Sequence, residues 1–110
     1  LLAKSEIVIP WQHPDCYSGL HLYIVRVDKM YHRSIFDSLR ARGIGVNLHY
    51  IPVYRQPYYE RLGFRRQDFP EAEAYYSEAI TLPIFPDLTE ASQDEVIRQL
   101  LAPVGYQTIF

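Results

Sequence analysis

The sequence predicts an α+β fold: one small, largely antiparallel sheet with helices packed on it. Three observations carry this prediction. Residues 20–27 are dense in β-branched and aromatic side chains, the composition of a strand. Residues 31–42 and 92–101 space their apolar side chains at the three- and four-residue steps of one-sided helices. Thr81-Leu82-Pro83-Ile84-Phe85-Pro86 must be extended, because its two prolines forbid a helix.

Taken in order, Ile7-Val8-Ile9-Pro10 is a short apolar run closed by proline, and reads as a strand or an extended lead-in. Residues 11–19 follow Pro10 and contain Pro14, Asp15 and Gly19, and form a loop. The strand over 20–27 follows. Tyr31, Ile35 and Leu39 then recur every fourth residue, with Phe36 beside them and Gly43 as the left-handed C-terminal cap. Ser34 and Asp37 have the spacing of a capping box, which allows a later helix start. Residues 46–51 form the next strand, whose period of two points Asn47 and His49 to one face.

Residues 57–62 form a short helix stopped by Gly63. Asp68 caps a longer one with Glu71 three residues on, and Ala72, Tyr75, Tyr76, Ala79 and Ile80 make its apolar stripe. Residues 81–86 suit an edge strand. Ser92 and Glu95 form a second capping box before Val96, Ile97, Leu100 and Leu101, and that helix ends near Pro103 and Gly105. The sequence contains no repeat, low-complexity tract or flexible linker, so residues 1–110 read as a single domain. Leu1-Leu2-Ala3-Lys4-Ser5-Glu6 resembles the tail of a helix cut through its middle, the expectation for a C-terminal fragment of a longer two-domain protein.

Composition narrows the function classes. At 48% apolar and 22% charged, the 110 residues are those of a folded chain with one modest core. A net charge of −2 and a pI near 6.1 argue against nucleic acid or an acidic membrane as partner. Cys16 is the one cysteine, so there is no internal disulfide and no cysteine-built metal site, which fits the cytoplasm. No apolar run approaches the ~20 residues of a membrane span. Ten tyrosines are many for this length; most are expected to pad the core, although Tyr58 and Tyr59 cannot both face inward.

The candidate binding residues are Asn47, His49, Tyr50 and Tyr54. The first three bring an amide, an imidazole and a phenol to a strand end, a set suited to orienting a polar ligand. From the residues alone the blander reading, His49 as a satisfied sheet histidine and Tyr50 as a core ring, outweighs the site reading. Arg55 offers a bidentate partner for a carboxylate or phosphate, or else is solvated. Gly43-Ile44-Gly45 follows a helix and precedes a strand, the reverse of a phosphate loop, so its glycines serve as turns. His13 and His32 read as solvated, and His21 is open to either reading. Glu71, Glu73, Asp87, Asp94 and Glu95 are explained by capping and solvation.

Three segments in order resemble the C-terminal small domain of the DegT/DnrJ family of sugar aminotransferases. They are His21-Leu22-Tyr23-Ile24-Val25-Arg26, then Arg40-Ala41-Arg42-Gly43-Ile44-Gly45 through His49-Tyr50-Ile51-Pro52, then Leu82-Pro83-Ile84-Phe85-Pro86-Asp87-Leu88-Thr89. Gln56-Pro57-Tyr58-Tyr59 is similar to the branch that includes the pseudaminic acid pathway transaminase. The resemblance implies the small-domain fold of fold-type I aminotransferases. It also implies a parent enzyme that uses pyridoxal phosphate to move an amino group from glutamate to a nucleotide-linked keto sugar, for bacterial surface polysaccharide or glycan synthesis. An N-terminal large domain, absent from these residues, would hold the cofactor and its lysine, and two copies would form a homodimer. Lys4 and Lys29 do not resemble that lysine, so no catalytic or cofactor-binding residue is expected here, and the fragment alone is expected to be inactive.

The resemblance puts His49, Tyr50 and Tyr54, with Asn47, on the wall of the sugar pocket. Many family members carry histidine where this chain has Tyr54, and Arg55 has no firm family role. Two readings from other classes stand beside this one. One is a stand-alone ligand-binding or regulatory module with a tyrosine-rich surface. The other is a single-strand nucleic-acid binder, which the acidic balance disfavours.

Overall fold

The computed structural model describes residues 6–102. It has two strands, β1 (Tyr23–Arg26) and β2 (Ala79–Leu82), and four α-helices: α1 (His32–Ala41), α2 (Pro57–Arg61), α3 (Pro70–Glu78) and α4 (Glu90–Leu101). Short 3-10 turns at Val53–Arg55 and Arg66–Asp68 flank α2. The α+β class read from the sequence holds. β1 and β2 are antiparallel, with Tyr23 opposite Leu82 and Arg26 opposite Ala79. Single bridges widen this pair on both sides. Val8 exchanges two backbone bonds with Arg26, at 3.0 and 2.9 Å, and Asn47 exchanges two with Thr81, at 3.1 and 2.8 Å. Four extended segments thus lie side by side, and β2 is an inner one.

All four residues of β2 are buried. Its Ile80 and Leu82 join Val25, Val27, Ile35, Leu39, Val46, Leu100 and Ile7 in one core. α1 contributes Ile35 and Leu39, four residues apart on one face, and packs against β2 and α4. It ends as its sequence dictates. Gly43 at φ 79° lets its own N–H reach Arg40 O and the Ile44 N–H reach Leu39 O, both at 3.0 Å, the paired bonds of a Schellman cap. Gly63 at φ 97° closes α2 in the same way, with Gly63 bonded to Glu60 O and Phe64 to Tyr59 O.

Several expectations are corrected. The strand over 46–51 shrinks to the bridge at Asn47, because the Leu48 N–H turns to Asn47 Oδ1 (3.0 Å) and no further ladder bond forms. The strand over 20–27 narrows to β1, since Leu20 sits at φ 52°, a turn conformation. The helical stripe running to Ile80 breaks at Glu78, and Ala79 and Ile80 belong to β2; pairing and full burial there override helical spacing. β2 is therefore an inner strand, and Pro83 and Pro86 lie beyond its last residue, where no ladder donor is lost.

None of the three expected N-terminal caps forms as read. Asp68 is held by Arg65 at 3.2 Å, so α3 starts from Phe69 with Pro70 in its first turn. Ser34 donates to Tyr31 O (2.9 Å) while Asp37 takes Arg33 (2.8 Å). α4 is capped by Thr89, whose hydroxyl accepts from Ser92 N (3.1 Å), and Glu95 bonds Arg98 and Gln99 instead. The expected helical character of residues 1–5, and the stop at Pro103 and Gly105, lie outside the described residues. No tyrosine among the described residues is fully buried, so the rings skirt the core rather than fill it. His32 is not solvated either: its Nε2–H donates to Ala79 O at 2.8 Å and ties α1 to the start of β2.

Because Leu39 is completely enclosed between the sheet and α4, Leu39→Ala should cost about 2–5 kcal/mol of stability in urea denaturation. A loss below about 0.5 kcal/mol would show that α1 does not seal this core.

Candidate functional site

The run from Asn47 to Arg55 leaves the edge of β2 and crosses to α3, and its side chains fall into two groups. The first sits on Thr81. Among the described residues Thr81 is the one polar residue in the core, at 5% exposure. Its backbone pairs with Asn47, and its Oγ1 lies 2.9 Å from His49 Nδ1. The His49 ring meets Tyr50 edge-on, with centroids 4.5 Å apart. Asn47 is exposed and Tyr50 is 69% exposed. The sheet thus fixes one ring nitrogen of His49 and leaves an amide and a phenol beside it open to a ligand. Asn47, His49 and Tyr50, read from the sequence as a group, are brought together on one edge of β2.

Tyr54 belongs to the second group, on α3. Its hydroxyl donates to Glu73 Oε2 at 2.5 Å, and its ring stacks on Phe69 at 4.4 Å and 12° between planes. Arg55 closes on the same carboxylate from the other side, Nη2 to Oε1 at 2.5 Å and Nε to Oε2 at 3.0 Å. Its guanidinium also covers the Tyr76 ring, 4.8 Å from the centroid. The Arg55 and Glu73 side chains are only 21% and 24% exposed. Hydrogen bonds from Arg55 and then from Tyr54 hold the Glu73 carboxyl below its ordinary range. Burial, followed by the bond to Glu73, raises the Tyr54 phenol, and the carboxylate raises Arg55.

Glu73 was missed by sequence reasoning, which assigned it to a solvated helix start, and Arg55 was left without a partner. The two are 18 residues apart with a turn, a helix and a second turn between them, so no periodicity links them. The weak signal available was Arg55 beside three aromatic residues, with two carboxylates, Glu71 and Glu73, in the first turn of α3. The family resemblance carried His49, Tyr50 and Tyr54 but gave Arg55 no firm role.

A cleft of about 420 Å³ opens elsewhere, between β1 and α3. Val8, Arg26, Asp28, Lys29, Ser77 and Glu78 are among its lining residues, and none of the predicted site residues is. Arg26 and Glu78 pair across it at 2.7 Å, and the Arg26 guanidinium also lies over Tyr75. Among the described residues, no group of three or more His, Cys, Asp or Glu side chains is placed to hold a metal ion.

This arrangement, an antiparallel sheet packed against α1 and α4, is shared with solved sugar-aminotransferase structures. The chain belongs to the DegT/DnrJ/EryC1/StrS aminotransferase family, whose model matches residues 1–101. It is 32% identical over 97 residues to the spore coat polysaccharide biosynthesis protein SpsC of Bacillus subtilis, covering 83% of this chain and 25% of SpsC. Among solved structures it is similar to Spr1654 of Streptococcus pneumoniae, described as a candidate sugar aminotransferase and solved in a PLP form. That match has a TM-score of 0.82 and 31% identity, over 90% of this chain and 26% of the other. It is also similar to PseC of Helicobacter pylori, an aminotransferase involved in the biosynthesis of pseudaminic acid, with a TM-score of 0.76 and 25% identity over 91% and 28% of the two chains. The chain spans about a quarter of the length of the relatives it matches.

The Glu73 cluster makes a pH-dependent contribution whose sign is fixed. A carboxyl held below its unfolded value stabilises the fold above about pH 4.3, and that stability is lost as pH falls through the lowered native value. Urea denaturation between about pH 6 and pH 2 should therefore show a shallower acid decline in Glu73→Gln than in the parent sequence. Parallel declines would mean that Glu73 titrates alike in both states.

Proposed function

We propose that this chain is the small domain of a two-domain, pyridoxal-phosphate-dependent aminotransferase. The parent moves an amino group from glutamate to a keto sugar carried on a nucleotide, in the making of bacterial surface polysaccharide or glycan. The observation that carries this reading is the match of residues 1–101 to the family, joined to a TM-score of 0.82 with a sugar aminotransferase candidate. The parts of SpsC in spore coat polysaccharide biosynthesis and of PseC in pseudaminic acid biosynthesis support the surface-glycan assignment. The coverage of about a quarter of each relative supports a further, larger domain in the parent.

The described residues do not themselves suit the cofactor. Their one lysine, Lys29, is exposed on the turn after β1 and lines a cleft shared with Glu6, Asp28 and Glu78, where a phosphate would meet carboxylates. The seat of pyridoxal phosphate and its lysine therefore belongs to the large domain, and this domain's part is to bind and orient the sugar. Asn47, His49, Tyr50 and Tyr54 make the pocket wall. His49, anchored by Thr81, keeps its second ring nitrogen for the ligand, and the exposed Asn47 and Tyr50 add hydrogen bonds that suit a polyhydroxylated substrate. The parent works as a homodimer in the cytoplasm. The exposed unpaired Cys16 fits a reducing compartment, and among the described residues no helix is long and apolar enough to cross a membrane.

The full-length parent should be yellow with bound cofactor, and glutamate should bleach that colour in a single half-reaction. A full-length protein that neither binds pyridoxal phosphate nor responds to glutamate would rule the reading out, and would favour a stand-alone binding module. In the active parent, His49→Ala should raise the sugar KM about tenfold, the loss of one hydrogen bond to a polar ligand. An unchanged sugar KM would remove His49 from the wall.

A further inference from the structure

Tyr54 and Arg55 end the run that carries the candidate wall, and both are gripped by one side chain. The Glu73 carboxylate has two oxygens, and the structure occupies both: Oε2 by the Tyr54 hydroxyl and Arg55 Nε, Oε1 by Arg55 Nη2. The grip is backed by rings on each side. Phe69 lies flat against Tyr54, and Tyr76 lies under the Arg55 guanidinium. Phe69, Glu73 and Tyr76 follow one another at steps of four and three, so they share one face of α3 and its N-cap. A single helical face therefore sets where the run ends.

The arrangement also fixes the hydrogen-bond polarity of Tyr54. A carboxylate accepts and cannot donate, so the phenol proton is committed to Glu73. What remains on the Tyr54 oxygen is lone-pair capacity, which accepts. Arg55 is likewise largely committed: two of its five N–H donors bind Glu73 and its face covers a ring, so the Glu73 carboxylate already balances its charge.

We propose that Glu73 is a positioning residue of the sugar pocket, holding Tyr54 and Arg55 so that Tyr54 meets the substrate as a hydrogen-bond acceptor for a sugar hydroxyl. This rests on the aminotransferase reading and deepens it by assigning a polarity to one wall residue and a role to a residue outside the wall. Glu73 itself does not touch the substrate. It acts through Tyr54, and a charged carboxylate does this better than an amide because the bonds to Arg55 and Tyr54 are charge-assisted.

The test uses the full-length parent with UDP- and TDP-linked keto-hexoses as amino acceptors and glutamate as donor. Glu73→Ala should raise the sugar KM about tenfold, with the glutamate half-reaction slowed less than about threefold. Glu73→Gln, which keeps an acceptor oxygen for Tyr54, should recover part of that loss. Tyr54→Phe should match Glu73→Ala, and the double variant should be no worse than either single one, because both remove the same contact. In NMR, the Arg55 Nε–H should be protected from exchange in the parent and lose that protection in Glu73→Ala. The proposal is overturned if Glu73→Ala leaves the sugar KM unchanged, if it slows both half-reactions equally, or if the double variant is additive. A parent that fails to turn over any of these sugars, or to respond to glutamate, overturns instead the reading on which the proposal rests.

Discussion

Thr81 is bonded on both sides at once, and the rest of the structure follows from that constraint. Its N–H and C=O both go to Asn47, so by antiparallel alternation its neighbours Ile80 and Leu82 supply the bonds to β1. β2 has no free edge along its length, and it buries all four residues without stranding a backbone group. α1 and α4 then have a closed apolar surface to cover, and His32 adds a bond from α1 to the first residue of β2. The side chain of the same Thr81 takes the His49 ring. One residue therefore joins the hydrophobic core to the polar edge that carries His49.

How much of this was legible depended on the range of the forces involved. β1, α1 and α2 were readable because local rules decide them: β-branched density, a four-residue repeat, and glycines that end helices with φ near 80–100°. The boundary at Glu78 was not, because Ala79 and Ile80 fit a helical stripe equally well and only pairing with β1 chooses between the two. The caps failed for a related reason. Ser34, Asp37, Asp68 and Glu95 each had a competing partner within four residues, and spacing does not rank partners.

The candidate site shows the same division. Asn47, His49 and Tyr50 are near neighbours on one strand edge, and sequence order alone gathers them. Tyr54 lies four residues beyond Tyr50, yet the fold sends it to α3. Its partner Glu73 carries no motif, and its electrostatic value exists only once Arg55 and Tyr54 arrive. The tyrosine excess, read as core padding, became instead a set of partly exposed rings around the core.

The Arg55–Glu73 contact also has a meaning for how this chain can vary. It closes residues 56–72 into a loop whose two ends are tied, so α2 (Pro57–Arg61), in the first part of that loop, is held from both sides. Loop closure of this kind costs little more as the loop grows, roughly 0.6 kcal/mol for each doubling in length. Insertions or exchanges around α2 can therefore be absorbed without moving Asn47, His49 or Tyr50. The segment is a natural place to graft new surface onto this domain while its polar edge stays where it is.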